Sequence, residues 1–197
     1  MPRALTDEEK TLIQEAIIKQ ANRLIREKGL RAVTVSDITD AVGIAKGSFY
    51  HFFDSREVCL YETIRQSGVV LMERMTALIA RGESKKQLAI SCFREVILAP
   101  DSLLLALNVE DYEIMMRKLP AQYREKEQQK EENSFGFFKE LFELDDITME
   151  TFAQLMNCLE ILSTNKGFSK YASLGKERAL DILVEAIAEL VSGGEES

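Results

Sequence analysis

Lys46, Ser48, Tyr50 and His51 fall within six residues of one another, with Gly47 among them. An ammonium, a hydroxyl, a phenol and an imidazole crowded at the start of one short helix suit phosphate oxygens. They act through charge, and the free N–H groups of the first turn add to it. Gly47 permits close backbone approach. Arg, Asn and Gln, the usual readers of base edges, are scarce here, so phosphate contacts are expected to dominate. Base reading is left to one or two of Ser48, His51 and Lys46. Other chemistry is thinly supplied. His51 is the single histidine, and Cys59, Cys92 and Cys158 are odd in number, far apart and without a C-x-x-C pair. The cysteines read as small hydrophobes in a reducing compartment. With no nucleophile motif, phosphate loop or metal set, neither an enzyme nor a cofactor is expected.

The elements that must hold this cluster can be read directly. Thr34 followed by Asp37 is a capping-box start, and Ile38, Ala41 and Val42 make one apolar face of a helix over about residues 36–42. Gly43 stands where that helix ends in a left-handed residue, and Ile44 anchors the turn. A second short helix is expected over about 46–53, with Phe49 and Phe53 facing the core. Two helices joined by a short glycine turn form a helix-turn-helix, whose second helix enters the major groove.

This stretch resembles the tetracycline-repressor (TetR) family of bacterial transcription regulators. That family's signature runs Thr-Val-x-x-Ile-Ala-x-x-Ala-Gly-Val-Ser-Lys-Gly-Thr-Leu-Tyr-x-x-Phe-x-Ser-Lys-Glu. Here it appears as Thr34-Val35, Ile38, Gly43-Ile44, Lys46-Gly47-Ser48-Phe49-Tyr50, Phe53 and Ser55-Arg56-Glu57. Ala45 replaces the Ser cap, Phe49 stands for Leu, Arg56 for Lys and Cys59 for an apolar residue. The resemblance covers about the first third of the chain. It implies that Thr34 and Arg56 join Lys46, Gly47, Ser48, Tyr50 and His51 in the DNA-contact set.

The net charge of −8 looks wrong for a DNA binder until its distribution is considered. Residues 1–56 hold nine Lys/Arg against eight Asp/Glu, and the remainder sixteen against twenty-five. A weakly basic head on an acidic body binds DNA in one orientation, and weakly as a single copy. Within the head, Arg3, Lys46 and Arg56 are left for phosphates. No uninterrupted apolar run near 20 residues is present, and a cytoplasmic protein without membrane attachment is expected.

An all-α chain is expected, with residues 1–54 as a three-helix DNA-binding domain and 55–197 as a helical effector-binding and dimerisation domain. Thr6 and Glu9 start helix one, whose apolar set is Ile13, Ile17, Ala21, Leu24 and Ile25. A long fourth helix runs from the Asp54-Ser55 cap to Arg81. Later helices are expected at about 84–98, 101–118, 120–144, 149–170 and 176–192, making about nine, the count that the resemblance implies.

Helices eight and nine are apolar around much of their circumference, and such faces need more than one partner surface. Full burial in one chain is one solution. The resemblance favours another, a homodimer with Phe152, Met156, Leu159, Leu183, Ile187 and Leu190 in a four-helix interface. Such a dimer presents two recognition helices about 34 Å apart to a near-palindromic duplex. Met72, Met75, Phe93, Tyr112, Met115, Met116, Phe137 and Phe138 are soft or aromatic, the types that line adaptable cavities. Each alone reads as core; as a set, the resemblance implies a pocket for an unidentified small apolar effector, whose binding releases a repressor from its operator. The competing expectation is a helical interaction or adaptor module with a degenerate helix-turn-helix head.

Overall fold

The computed structural model describes residues 5–103, 106–164 and 172–193. Among these residues there are nine α-helices and no strand: α1 Asp7–Lys28, α2 Val35–Val42, α3 Lys46–Phe49, α4 Arg56–Ile79, α5 Lys85–Ser91, α6 Val109–Arg117, α7 Ala121–Phe142, α8 Asp146–Thr164 and α9 Ala172–Val191. Packing divides the chain into two compact units, Met1–Val70 with Ala106–Arg124, and Leu71–Leu105 with Glu125–Ser197. A cut at 54/55 would follow the helix boundaries. Packing instead keeps the start of α4 with the head, because Val58, Cys59, Leu60 and Tyr61 are all buried.

In the first unit, Thr6 and Glu9 form the expected capping box, which satisfies two otherwise orphaned N–H groups of α1. Ile17, Ala21, Leu24 and Ile25 are buried along one face, while Ile13 is half-buried. A 3-10 turn, Leu30–Ala32, carries the chain from α1 towards α2 and packs against α6. Leu30, Val33, Val35, Ile38, Phe49 and Phe53 close the head core. The Tyr61 ring meets Tyr123 edge-on at 5.3 Å.

In the second unit, α9 packs against both α5 and α8. Its buried stripe is Val184, Ile187, Ala188 and Val191, an i, i+3, i+4, i+7 pattern, and it meets Phe93, Phe152 and Leu159 in one core. Phe152 lies 6.3 Å from Phe93 and 5.6 Å from Phe138 between ring centroids. Ion pairs Lys86–Glu189 and Arg94–Asp181 bridge to α9 at the surface, where each contributes little.

Several boundaries differ from the sequence-based expectation. The third helix is four residues, Lys46–Phe49, followed by a turn through Phe52. The sixth starts at Val109, because Asn108 caps it by accepting the Asp111 N–H. Asp101, the expected start, instead holds Arg74 through two hydrogen bonds of 2.9 and 2.6 Å. α4 ends at Ile79 rather than Arg81. The fifth segment changes from α to π hydrogen bonding over Cys92–Ile97. α9 starts at Ala172, ahead of the expected 176, and takes in Gly175; residues 165–170, the expected end of helix eight, lie outside the described residues.

Candidate nucleic-acid interface

Thr34 sets the angle at which the chain enters α2. Its hydroxyl oxygen accepts the Asp37 N–H at 3.2 Å, and the Asp37 carboxylate accepts the Thr34 N–H at 2.7 Å. The Thr34 hydroxyl proton also goes to Asp37, at 2.6 Å. Lys28, in the last turn of α1, pairs with the same carboxylate. Lys28 first, then Thr34, hold the Asp37 carboxyl down at about 2. Thr34 is itself exposed, with its hydroxyl engaged by Asp37.

α2 buries Val35, Ile38 and Thr39 and ends at Gly43, whose φ of 79° and ψ of 33° are left-handed. The Gly43 and Ile44 N–H groups both donate to the Thr39 carbonyl, at 2.8 and 3.0 Å. This is the tight turn that a side chain at Gly43 would strain. Ala45 follows in extended conformation and supplies no side-chain cap to α3.

Over α3 and the turn that follows it the residues divide cleanly by burial. Phe49 is fully buried, and its ring lies 5.8 Å from Phe53 and 5.4 Å, edge-on, from Tyr50. Lys46, Gly47, Tyr50 and His51 are exposed, and Ser48 is half-buried. Tyr50 therefore rests one edge on the core and leaves half its surface outside. Among the described residues of the head, Lys46 makes no ion pair, whereas Lys10, Arg23 and Lys28 are each engaged by a carboxylate. Lys46, Gly47, Tyr50 and His51 thus form one outward group beside Ser48, with a cation not already neutralised.

Arg56 does not belong to that group. Its guanidinium donates to the carbonyls of Val33, Leu30 and Arg31 and to the Glu57 carboxylate. Four of its five N–H groups are already placed. Spacing could not reveal this, since the carbonyls lie 23 to 26 residues back in the chain.

Residues 17–63 match the family described as bacterial regulatory proteins, tetR family. That match places the head of the chain, and no more of it, among tetR-like sequences. Over 62 residues it is 45% identical to the HTH-type transcriptional repressor KstR2 of Rhodococcus jostii, covering 32% of this chain and 30% of that protein. It is 32% identical over 92 residues to an uncharacterized HTH-type transcriptional regulator of Mycobacterium tuberculosis, 45% of each chain. The chain thus spans less than half the length of these curated relatives. Among solved structures, the fatty acid degradation regulator FadR of Bacillus halodurans superposes with a TM-score of 0.59 at 18% identity, covering 98% of this chain and 99% of that one. A TetR family transcription regulator of Marinobacter aquaeolei gives 0.59 at 14%, covering 96% and 98%. Both likenesses carry the fold.

The residues expected to line an effector pocket are divided between the two units. Met75 and Phe93 are close-packed core of the second unit, with Phe137 and Phe138 half-buried against them. Met72 is 43% exposed. Tyr112, Met115 and Met116 belong to the first unit, Met115 buried and the other two half-buried. The residues expected at a dimer interface differ in exposure. Phe152, Leu159 and Ile187 are buried within their own chain, and Met156, Leu183 and Leu190 pack half-buried against them. The outward apolar positions are Ile147, Ile161 and Ile182, with Cys158 and Ala186 exposed beside them. An apolar face on both sides of a helix looks uniform in sequence, and only packing decides which side is spent internally. Among the described residues no helix is long and apolar enough to cross a membrane.

Proposed function

We propose that this protein is a sequence-specific DNA-binding transcriptional regulator, a repressor that acts as a homodimer on a near-palindromic duplex. The observation that carries the reading is the division over α3 and the turn after it: Phe49 and Phe53 are spent on the core, while Lys46, Gly47, Tyr50 and His51 are turned outward, with Ser48 beside them. Lys46 and the Ser48 and Tyr50 hydroxyls grip phosphate oxygens, and His51 or Ser48 reaches a base edge. Repression is the activity named for the KstR2 relative.

Dimerisation follows from charge and exposure. One weakly basic head on a chain of net charge −8 holds DNA poorly, and two heads double the phosphate contacts. The outward sides of α8 and α9, carrying Ile161, Ala186 and an Ile182 that is 61% exposed, are the surfaces that pair. A small apolar or amphipathic effector taken up by the C-terminal helices releases the operator by binding the two states unequally.

The test uses the full chain and a duplex from immediately upstream of its own coding sequence, titrated by gel shift across a range of salt. Affinity should fall steeply and linearly in log–log form as salt rises. Binding that is absent or insensitive to salt refutes the regulator reading and favours an adaptor whose head docks a protein. Native mass spectrometry of the purified chain reads the copy number and any co-purified small molecule.

A further inference from the structure

Arg56 opens α4 at the place where a tetR-family basic residue was expected to face DNA, yet its side chain is only 22% exposed. Nη2 donates to the carbonyls of Leu30 at 2.8 Å and Arg31 at 3.1 Å, and Nε to that of Val33. Nη1 donates to Glu57 at 3.0 Å. All three carbonyls lie on the 3-10 turn and its exit, the segment that leads from Gly29 to the Thr34 cap. A single 3-10 turn leaves carbonyls without partners inside the turn, and partly buried ones must find donors elsewhere. A planar fork reaches three of them at once; an ammonium on a flexible stem does not.

We infer that Arg56 is a positioning residue for the DNA-reading helices and not a phosphate contact. It ties the first turn of α4 to the turn that launches α2, and so fixes the angle at which α2 and α3 are presented. Two further observations place the control point at this junction. Lys28, at the end of α1, pairs with Asp37 in the first turn of α2, so that the same connection is clamped from its other side. α6 packs against the same 3-10 turn. The segment Leu30–Val33 is therefore where α1, α2, α4 and α6 are held together. The inference rests on the DNA-binding reading above.

The conservative variant separates the two roles. Arg56→Lys keeps the charge but not the fork, and Arg56→Met keeps the stem and removes the charge. Each is titrated, as the full chain, against the same upstream duplex across salt. A strut predicts that both variants lose affinity about tenfold or more, the order of one lost charge-assisted hydrogen bond, while the salt slope stays that of the unaltered chain. Unchanged affinity in Arg56→Lys, or a slope that falls by about one per contact in Arg56→Met and returns in Arg56→Lys, makes Arg56 a phosphate contact and overturns the inference. Amide exchange without DNA supplies the second readout. Arg56→Lys should speed exchange selectively over Val35–Val42, leaving Ile17–Ile25 of α1 protected. Unchanged or uniformly raised exchange overturns the positioning role. If the unaltered chain binds no duplex, the regulator reading fails, and the exchange result still decides the strut.

Discussion

Lys46→Ala offers the sharpest test of how the head meets DNA, because its effect can be worked out before the measurement. Lys46 is exposed at the first position of α3 and makes no ion pair among the described residues, so alanine removes a free charge and disturbs no internal bond. Each phosphate contact on B-form DNA contributes about 0.9 to the slope of log affinity against log salt. A homodimer carries two copies, so the slope should become shallower by about 1.8. Raising salt fourfold, from about 50 to 200 mM, then weakens the unaltered protein about twelvefold more than the variant. If a single chain bound alone, the slope would change by about 0.9 and that ratio would be about 3.5. The assay is fluorescence anisotropy on a labelled upstream duplex at five or so salt concentrations, with thermal unfolding to show that the fold is kept. A slope unchanged in Lys46→Ala would refute the claim that α3 faces the phosphate backbone, and a change near one would refute the paired geometry.

The remaining predictions address the turn, the packing, the cap and the thiols. Gly43→Ala should lower stability by about 1 kcal/mol in urea denaturation, because the strain lies in the left-handed backbone and a Cβ there meets no atom within 4 Å. Gly43→Val should cost more, and equal losses would contradict the account. Ile182→Asp should shift the protein to monomer in analytical ultracentrifugation with little loss of fold. Phe152→Ala should instead lose about 3–5 kcal/mol of stability from the core, and the reverse pattern would exchange the inner and outer faces assigned to α8 and α9. The Asp37 carboxyl, held at about 2 in the folded chain by Lys28 and Thr34, stabilises the fold while ionised. That contribution is present above about pH 4 and fades as pH falls towards 2, so Asp37→Asn should flatten stability against pH in that window. Burial pushes the Cys59 and Cys92 thiols up to about 12, whereas Cys158 is exposed. Iodoacetamide at about pH 8 should therefore leave Cys59 and Cys92 unlabelled in the folded protein and label them only after unfolding.

The helix-turn-helix was legible in the residues because its signals are local. A capping box spans three residues, the left-handed turn needs glycine, and the apolar period of α1 and α2 repeats within two turns of helix. The assignment of Phe49 and Phe53 to the core, with Lys46 and Tyr50 facing out, follows from the same short-range geometry. Segments without a strong local signal were misplaced. Asp101 and Asn108 are both acceptable caps, and the choice between them was made by Arg74, which lies 27 residues before Asp101 and takes its carboxylate.

Tertiary contact also decided the roles of residues whose chemistry allows two. Arg56 is a cation in a stretch where cations suit phosphate, but the carbonyls of Leu30, Arg31 and Val33 claimed it first. Phe152, Leu159 and Ile187 are apolar on helices that are apolar nearly all round, and burial inside their own chain left Ile161 and Ile182 on the outside. Local composition determines which elements form and which side chains can bind an anion or fill a core. Which partner each takes depends on distant parts of the chain, because a hydrogen bond or a buried face is satisfied once, by whichever group folding brings to it.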